Sequence, residues 1–277
     1  TTYTQTTMPF FGDISSPVDD VIGDDYTTKV TTKMKSKAGP CTVTSETERV
    51  SKDGVSLLSK LSLKYAGPNG FSLDKFQMKA KGEAVVETSL TDKDRGLKYT
   101  FKGDISKKGD LGVEYTKGML GLTATMDLFE QKKFSTSALM SQNAFAVGGS
   151  ANLKTTGGVT LDTFSVGASY STGPFFAALT TTKLSSATLA VKYEVSDTLK
   201  VVTSSEHSAS SPLGGVTVGC VYDAKSKGVI KAKCTSSGEV SAVLVKEIAK
   251  KVNISPSVTI SNGDIANAKY GIGVVMG

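Results

Sequence analysis

Lysine recurs at alternate positions in several short stretches of this chain. TTKVTTKMK carries Lys29, Lys33 and Lys35; LLSKLSLKY carries Lys60 and Lys64; GLKYTFKGD carries Lys98 and Lys102; GVIKAKC carries Lys231 and Lys233. Lys192 in TLAVKYEVS and Lys269 in AKYGIGVVMG keep the same rhythm. A protonated ammonium group is a compact, hydrated point charge. A row of them on one face raises the local concentration of anions without gripping any one of them. That is the chemistry of attraction and passage, and bond making would need other groups. His207 is the only histidine, which argues against a Ser-His-Asp triad and against His-rich metal sites. Cys41, Cys220 and Cys234 are odd in number and far apart, with no CxxC pair, so neither a disulfide framework nor a zinc site is supported. No GxxxxGK[ST] phosphate loop occurs, and no constellation of acid, base and nucleophile stands out. Catalysis, metal and cofactor are therefore not expected.

The lysines must be positioned by strands. From Thr27 onward the chain is a succession of period-two segments about 8 to 11 residues long. Val30 and Met34 alternate with Lys29, Lys33 and Lys35; Leu97, Tyr99 and Phe101 alternate with Lys98, Thr100 and Lys102. Leu189, Val191, Tyr193 and Val195 alternate with Ala190, Lys192 and Glu194. Such alternation marks a sheet with one apolar and one polar face. Between segments sit KAGP, AGPNG, TDKD, TTGG, STGP and SNGD, whose Gly, Asn, Asp and Pro suit tight hairpin turns. Roughly 17 to 19 strand candidates follow one another with hardly any helix, so neighbours should be antiparallel.

A soluble sandwich would hide the apolar face in a core, whereas a membrane barrel turns it to lipid. Strands this numerous close into a barrel too wide for side chains to fill, leaving an aqueous channel. A lysine misplaced on the lipid face at mid-depth would cost about 2 to 4 kcal/mol. Confining so many lysines to one face therefore favours the membrane barrel. No run approaches the length of a spanning helix, and TTYTQTTMPFFGD lacks the marks of a secretory leader, with Met8 a candidate start. The absence of Trp and the proline in ISPSV are the features that fit least well.

Charge is uneven along the chain. The net of +6 combines residues 1–28, with five acids and no base, and a remainder holding 32 bases against 21 acids, a net of +11. A basic body with an acidic leader suggests an anionic partner or a passage for anions. The leader itself reads as a short helix, with Ser16 as N-cap, Pro17 at the first helical position and Asp19 completing a capping-box-like spacing. Val18, Val21 and Ile22 share one side, and Gly23 can end it.

DISSPVDDVIGDDY resembles the N-terminal segment of the eukaryotic mitochondrial porins, the voltage-dependent anion channels, at Asp13, Ile14, Asp20, Val21, Ile22, Asp25 and Tyr26. RGLKYTF (Arg95 to Phe101) resembles the family's GLK strand, and VIKAKCTSSGEVSAVLVKEIAKKVNISPSVTIS its final hairpins. KYGIGVVM resembles its terminal signature, through Lys269, Gly271, Ile272, Gly273 and Met276. The resemblance spans the whole length; the two ends and GLK are specific, and the middle matches mainly in rhythm.

The resemblance implies an all-β fold: a 19-stranded transmembrane barrel over residues 27–277, with a leader over 1–26 whose short helix lies inside the pore. It implies a parallel pairing of first and last strands, residence among the lipids of the mitochondrial outer membrane, and a terminal segment read by the insertion machinery. Function would be passive, voltage-gated diffusion of adenine nucleotides, phosphate and organic acids, with homo-oligomers among the expected partners and nucleic acid not. On this reading Lys29, Lys33, Lys60, Lys64, Lys98, Lys102, Lys192, Lys231, Lys233 and Lys269 line the pore. Asp13, Ser16, Asp19 and Asp20 belong to the pore helix. The leader departs from the family, which usually carries Lys or Arg where this chain has Ser16, Pro17, Asp19 and Asp24. Those acids would either oppose the lysine wall or salt-bridge to it. Asp74 in FSLDKF is a candidate for the family's lipid-facing strand acid. The rival readings are a protein-import pore of the same barrel fold and a soluble all-β binding or structural protein.

Overall fold

The computed structural model describes residues 10–51, 55–80, 82–105, 108–129, 132–212 and 214–277. Met8 lies outside the described residues. A 3-10 turn (Phe11–Asp13) and one helix, α1 (Ser16–Gly23), precede the strands. β1 (Val30–Ala38), β2 (Cys41–Ser51), β3 (Val55–Ala66), β4 (Phe71–Lys79), β5 (Ala84–Asp92) and β6 (Leu97–Asp104) come first. They are followed by β7 (Gly109–Lys117), β8 (Leu120–Asp127), β9 (Lys133–Gln142), β10 (Phe145–Lys154), β11 (Thr160–Thr172) and β12 (Phe175–Thr182). The series ends with β13 (Ser186–Glu194), β14 (Leu199–Ser208), β15 (Val216–Asp223), β16 (Val229–Thr235), β17 (Glu239–Ala249), β18 (Val252–Ser261) and β19 (Lys269–Met276).

Neighbours in the chain are neighbours in one 19-stranded sheet. Pairing is antiparallel from β3 to β10 and from β12 to β19. β1 pairs with β2 and, in parallel, with β19, with Val30 opposite Ile272 and Met34 opposite Met276. The sheet thus closes into a barrel, which leaves no edge of unpaired backbone groups. Among the described residues no helix is long and apolar enough to cross a membrane.

The registers sort the side chains by chemistry. On one face, Leu61 stands opposite Met78, Tyr99 opposite Val113, and Val258 opposite Tyr270. On the other, Lys98 stands opposite Glu114, Lys102 opposite Asp110, and Lys269 opposite Thr259. The apolar face is open, with Leu61 52% and Tyr270 69% exposed. The polar face is the inner one, because it carries the leader.

An extra residue in β4, another in β17 between Glu247 and Ala249, and a gap in the β17–β18 ladder interrupt the regular pairing. The extra residue in β4 shows in both its ladders: Leu63 and Tyr65 of β3 face Phe76 and Leu73, three positions apart, and Leu73 and Lys75 face the adjacent Thr88 and Glu87. An extra residue of this kind bends a strand and re-aims its side chain. Asp74 is consequently turned toward Ser72, whose hydroxyl donates to its carboxylate at 2.8 Å; Ser72 lies opposite Ser89 on the polar face. The expectation of a lipid-facing acid at Asp74 is not met. The third interruption explains the strand proline: the β17–β18 ladder omits Leu244 and Val245, opposite Pro256 and Ser255, where Pro256 has no N–H to give. On its other side Pro256 keeps its place opposite Ile272.

Contacts divide the chain into two compact units. The first comprises the chain up to Ile14, Lys35–Ser45 and Leu58–Ala168; the second comprises Ser15–Met34, Glu46–Leu57 and Ser169–Gly277.

Candidate functional site: the inner face and the docked leader

Within the first unit the inner-face lysines are partnered by carboxylates one strand away. Glu87 on β5 lies 3.8 Å from both Lys75 on β4 and Lys102 on β6, and Lys98 lies 3.4 Å from Glu114. In the second unit Glu194 sits 3.2 Å from Lys192 and 3.0 Å from Lys200, and Lys29 pairs with Glu48. Half-exposed pairs of this kind contribute about 0–1 kcal/mol each to stability. Their larger consequence is electrostatic, since each carboxylate cancels part of the positive field of the wall.

The leader meets each unit separately. In the first, Phe11 and Ile14 pack with Leu139 of β9 and Ala146 of β10 in a buried cluster. Leu139 lies opposite Gly121 and Gly148, so it belongs to the polar face of its strand and would be a misplaced apolar residue without that cover.

In the second unit α1 lies over β13 to β16. Its start differs from the sequence expectation by one residue: the N-cap is Ser15, and Pro17 falls in the first turn. The Ser15 carbonyl accepts from the amides of Val18 and Asp19, and its hydroxyl donates to the Asp19 carboxylate at 2.6 Å. Pro17 has no amide to satisfy at a position where amides lack helical partners anyway. Asp13 lies in the preceding 3-10 turn, outside α1. Val18 and Val21 are buried, and Ile22 faces Gly219 and Val202. The seat is small and apolar: Ala190 and Val202 are buried on the same face as Lys192. A Cβ on Gly219 would stand 3.1 Å from both Ile22 and Val202, so a side chain there would press on the helix and on the wall beside it. An eight-residue helix has little stability alone; burying Val18 and Val21 contributes about 1.5–3 kcal/mol each.

Lysines close the other end. A helix C-terminus presents carbonyls without partners and a partial negative charge. Lys233 donates to the Ile22 carbonyl at 2.8 Å, and Lys231 to the Asp20 carbonyl at 3.4 Å. Asp25, in the left-handed region at φ 73°, turns its carboxylate to Lys231 at 2.6 Å. The ring of Tyr26 lies under the Lys233 ammonium, 4.4 Å from its centroid. Burial, the nearby Cys220 thiol and Asp25 push the Tyr26 phenol up to about 12, and its hydroxyl finds no hydrogen-bond partner among the described residues. Beyond Tyr26, the Ser257 hydroxyl donates to the Thr27 carbonyl, and a Cβ at Gly271 would collide with that same carbonyl oxygen.

Of the lysines singled out by alternation, Lys33, Lys60, Lys98, Lys102, Lys192, Lys231, Lys233 and Lys269 sit on the polar face by register. Lys64 sits across from the extra residue of β4, between the paired Leu63 and Tyr65, and Lys29 lies just before β1. Lys231 and Lys233 hold the leader. Asp19, Asp20 and Asp24 are exposed, while Asp25 makes the salt bridge to the wall. In the terminal segment Gly271 and Gly273 share the inner face with Lys269, and Ile272 and Met276 are on the outer one. Sequence reasoning missed the two apolar seats, Ala190 and Val202 in the second unit and Leu139 in the first; the available signal was apolar character on both faces in LAVKY, KVVTS and SALMS. His207 is a structural residue: it bonds Ser205 at 3.0 Å through Nε2 and the Pro212 carbonyl at 2.6 Å through Nδ1.

Comparison with solved structures finds the same architecture in bacterial porins. A double mutant of the Rh. blastica porin superposes with a TM-score of 0.51 at 12% identity, covering 89% of this chain and 95% of that one. A triple mutant of the Rhodopseudomonas blastica porin gives 0.50 at 12% identity over the same shares. At such identity the likeness is one of fold. Comparison with curated proteins gives no match. The family profile described as eukaryotic porin, in contrast, matches residues 7–273. With the closed barrel, its apolar outer face and its charged inner face, this makes the chain a member of the eukaryotic porin family, a pore-forming outer-membrane β-barrel.

Proposed function

We propose that the chain is a voltage-gated diffusion channel of the mitochondrial outer membrane that favours anions and passes adenine nucleotides, phosphate and organic acids. The observation that carries this reading is the placement of most strand lysines on the inner face, Lys33 and Lys269 among them, with Lys117 and Lys246 at outer-face positions toward strand ends. Fixed positive charge along a passage enriches anions by its field and lets them leave as readily as they enter. On this reading Lys29, Lys33, Lys60, Lys64, Lys98, Lys102, Lys192 and Lys269 tune the passage, while Lys231 and Lys233 anchor the leader. The exposed carboxylates of Asp19, Asp20 and Asp24 ride on that leader. Each full charge moved through the membrane field responds with about 2.3 kcal/mol per 100 mV, which gives voltage a handle. Lys269, Gly271, Ile272, Gly273 and Met276 serve as the insertion signal.

The test is single-channel conductance in a planar bilayer under a salt gradient. Large pores with an anion-signed reversal potential are expected. A cation-signed or null potential would keep the pore and make the leader's aspartates the dominant filter. Failure to insert, with protein that stays soluble without detergent, would sink the reading.

A further inference from the structure

We propose that one end of the second unit, formed by the hairpins β13–β14, β15–β16 and β17–β18, binds the headgroups of anionic phospholipids. The proposal rests on the membrane-spanning reading above and adds a lipid preference to it. Alternate hairpins lie at opposite ends of an antiparallel sheet, so these three connections share one end. Residues 195–198, 224–228 and 250–251 hold Lys225, Lys227, Lys250 and Lys251 against the single acid Asp197. All four lysines are exposed. The neighbouring acids at the strand ends are engaged elsewhere: Asp223 accepts from the Lys225 amide at 2.7 Å, Glu247 from the Lys251 amide at 3.0 Å, and Glu194 pairs with Lys192 and Lys200. The opposite end differs in kind. Its connections in the same unit, residues 183–185, 209–215, 236–238 and 262–268, hold only Lys183 and Asp264.

A second observation places the lysines at headgroup depth. Tyr193 and Tyr222 are half-exposed on the outer face, each two residues before one of these lysine-bearing or adjoining connections. Tyrosine rings on a lipid-facing wall settle where hydrocarbon meets headgroups. Loops just beyond them meet phosphate groups, and clustered lysines at that level attract anionic lipid over neutral lipid. Tyr270 is the outer-face tyrosine at the other end of the unit, and no lysine cluster accompanies it.

The full chain reconstituted into phosphatidylcholine vesicles tests this, with electron spin resonance of spin-labelled phosphatidylglycerol or phosphatidylcholine reading the lipid held at the protein surface. The expected result is an association constant for phosphatidylglycerol at least about threefold higher, falling with salt and abolished by K225Q/K227Q/K250Q/K251Q while Lys183→Gln leaves it unchanged. A preference that survives the quadruple variant overturns the proposal. So does a wild-type preference erased by inorganic phosphate at matched ionic strength, which would make the cluster a site for soluble phosphate. Equal association of both labelled lipids refutes the lipid preference and leaves the barrel in the membrane. A protein that immobilises neither lipid refutes the membrane reading itself.

Discussion

The ammonium group of Lys233 donates a 2.8 Å hydrogen bond to the carbonyl oxygen of Ile22, tying β16 to the last turn of α1. The wall thus supplies the helix with a C-terminal cap made from a residue more than two hundred positions away in the chain. A lysine used in this way is withdrawn from the passage, so position on the inner face and availability to anions are separate properties.

Replacing Lys233 by Met keeps much of the stem and removes the donor and its contact with Tyr26. Hydrogen bonds to charged groups contribute about 1.5–3 kcal/mol. Amides of residues 18–26 should therefore exchange at least tenfold faster in K233M, with the strands away from the leader unchanged. Equal exchange in both proteins would show that the apolar seat alone holds the helix.

Gly219 and Gly271 set how closely the leader can approach. Gly219→Val should displace Ile22, and Gly271→Ala should push away the Thr27 carbonyl, each costing about 1–3 kcal/mol as overpacking does. Thermal unfolding in detergent reads the loss. In a protein truncated before Lys29 the Gly219→Val penalty should fall, because Ile22 is gone and only the wall contacts with Val202 and Ala232 remain.

The raised Tyr26 phenol makes docking sensitive to strong base. The folded state holds this proton more tightly than the unfolded chain, so its contribution is intact below about pH 10 and is lost as pH rises toward about 12. Leader exchange should accelerate across that window, and Tyr26→Phe should flatten the response. The same variant removes an unpartnered hydroxyl, so its stability at neutral pH should equal or exceed that of the parent.

Charge pairing on the wall predicts a shift in selectivity. Glu87→Gln would release both Lys75 and Lys102 from one carboxylate and move the reversal potential further toward anions. Lys33→Glu should move it the other way. Identical potentials in all three proteins would mean that selection is set elsewhere.

The two faces of the wall were legible because alternation has a period of two and lysine is costly in lipid. Val30 against Lys33 and Tyr99 against Lys98 needed no tertiary information. What stayed hidden depends on contacts between distant segments. Val202 and Ala190 look like ordinary strand residues until α1 is laid over them, and Leu139 until Phe11 and Ile14 cover it. The helix start moved by one because Ser15 and Ser16 are chemically equivalent caps, and only the carbonyl bonding to Val18 and Asp19 decides between them. Asp74 left the expected face because a single extra residue in β4 is invisible to a strict alternation.

An odd number of strands that reverse at every hairpin must bring the last one back running the same way as the first. The junction of Val30–Met34 with residues 272–276 is therefore the wall's only seam of its kind among the registered pairs. Parallel ladders have slanted hydrogen bonds and are slightly weaker per residue. It also joins segments from the two ends of the barrel's strand series, so it can be laid only after every intervening hairpin exists. Under lateral tension the cylinder should part there first, and in assembly the same line should be the last to zip shut.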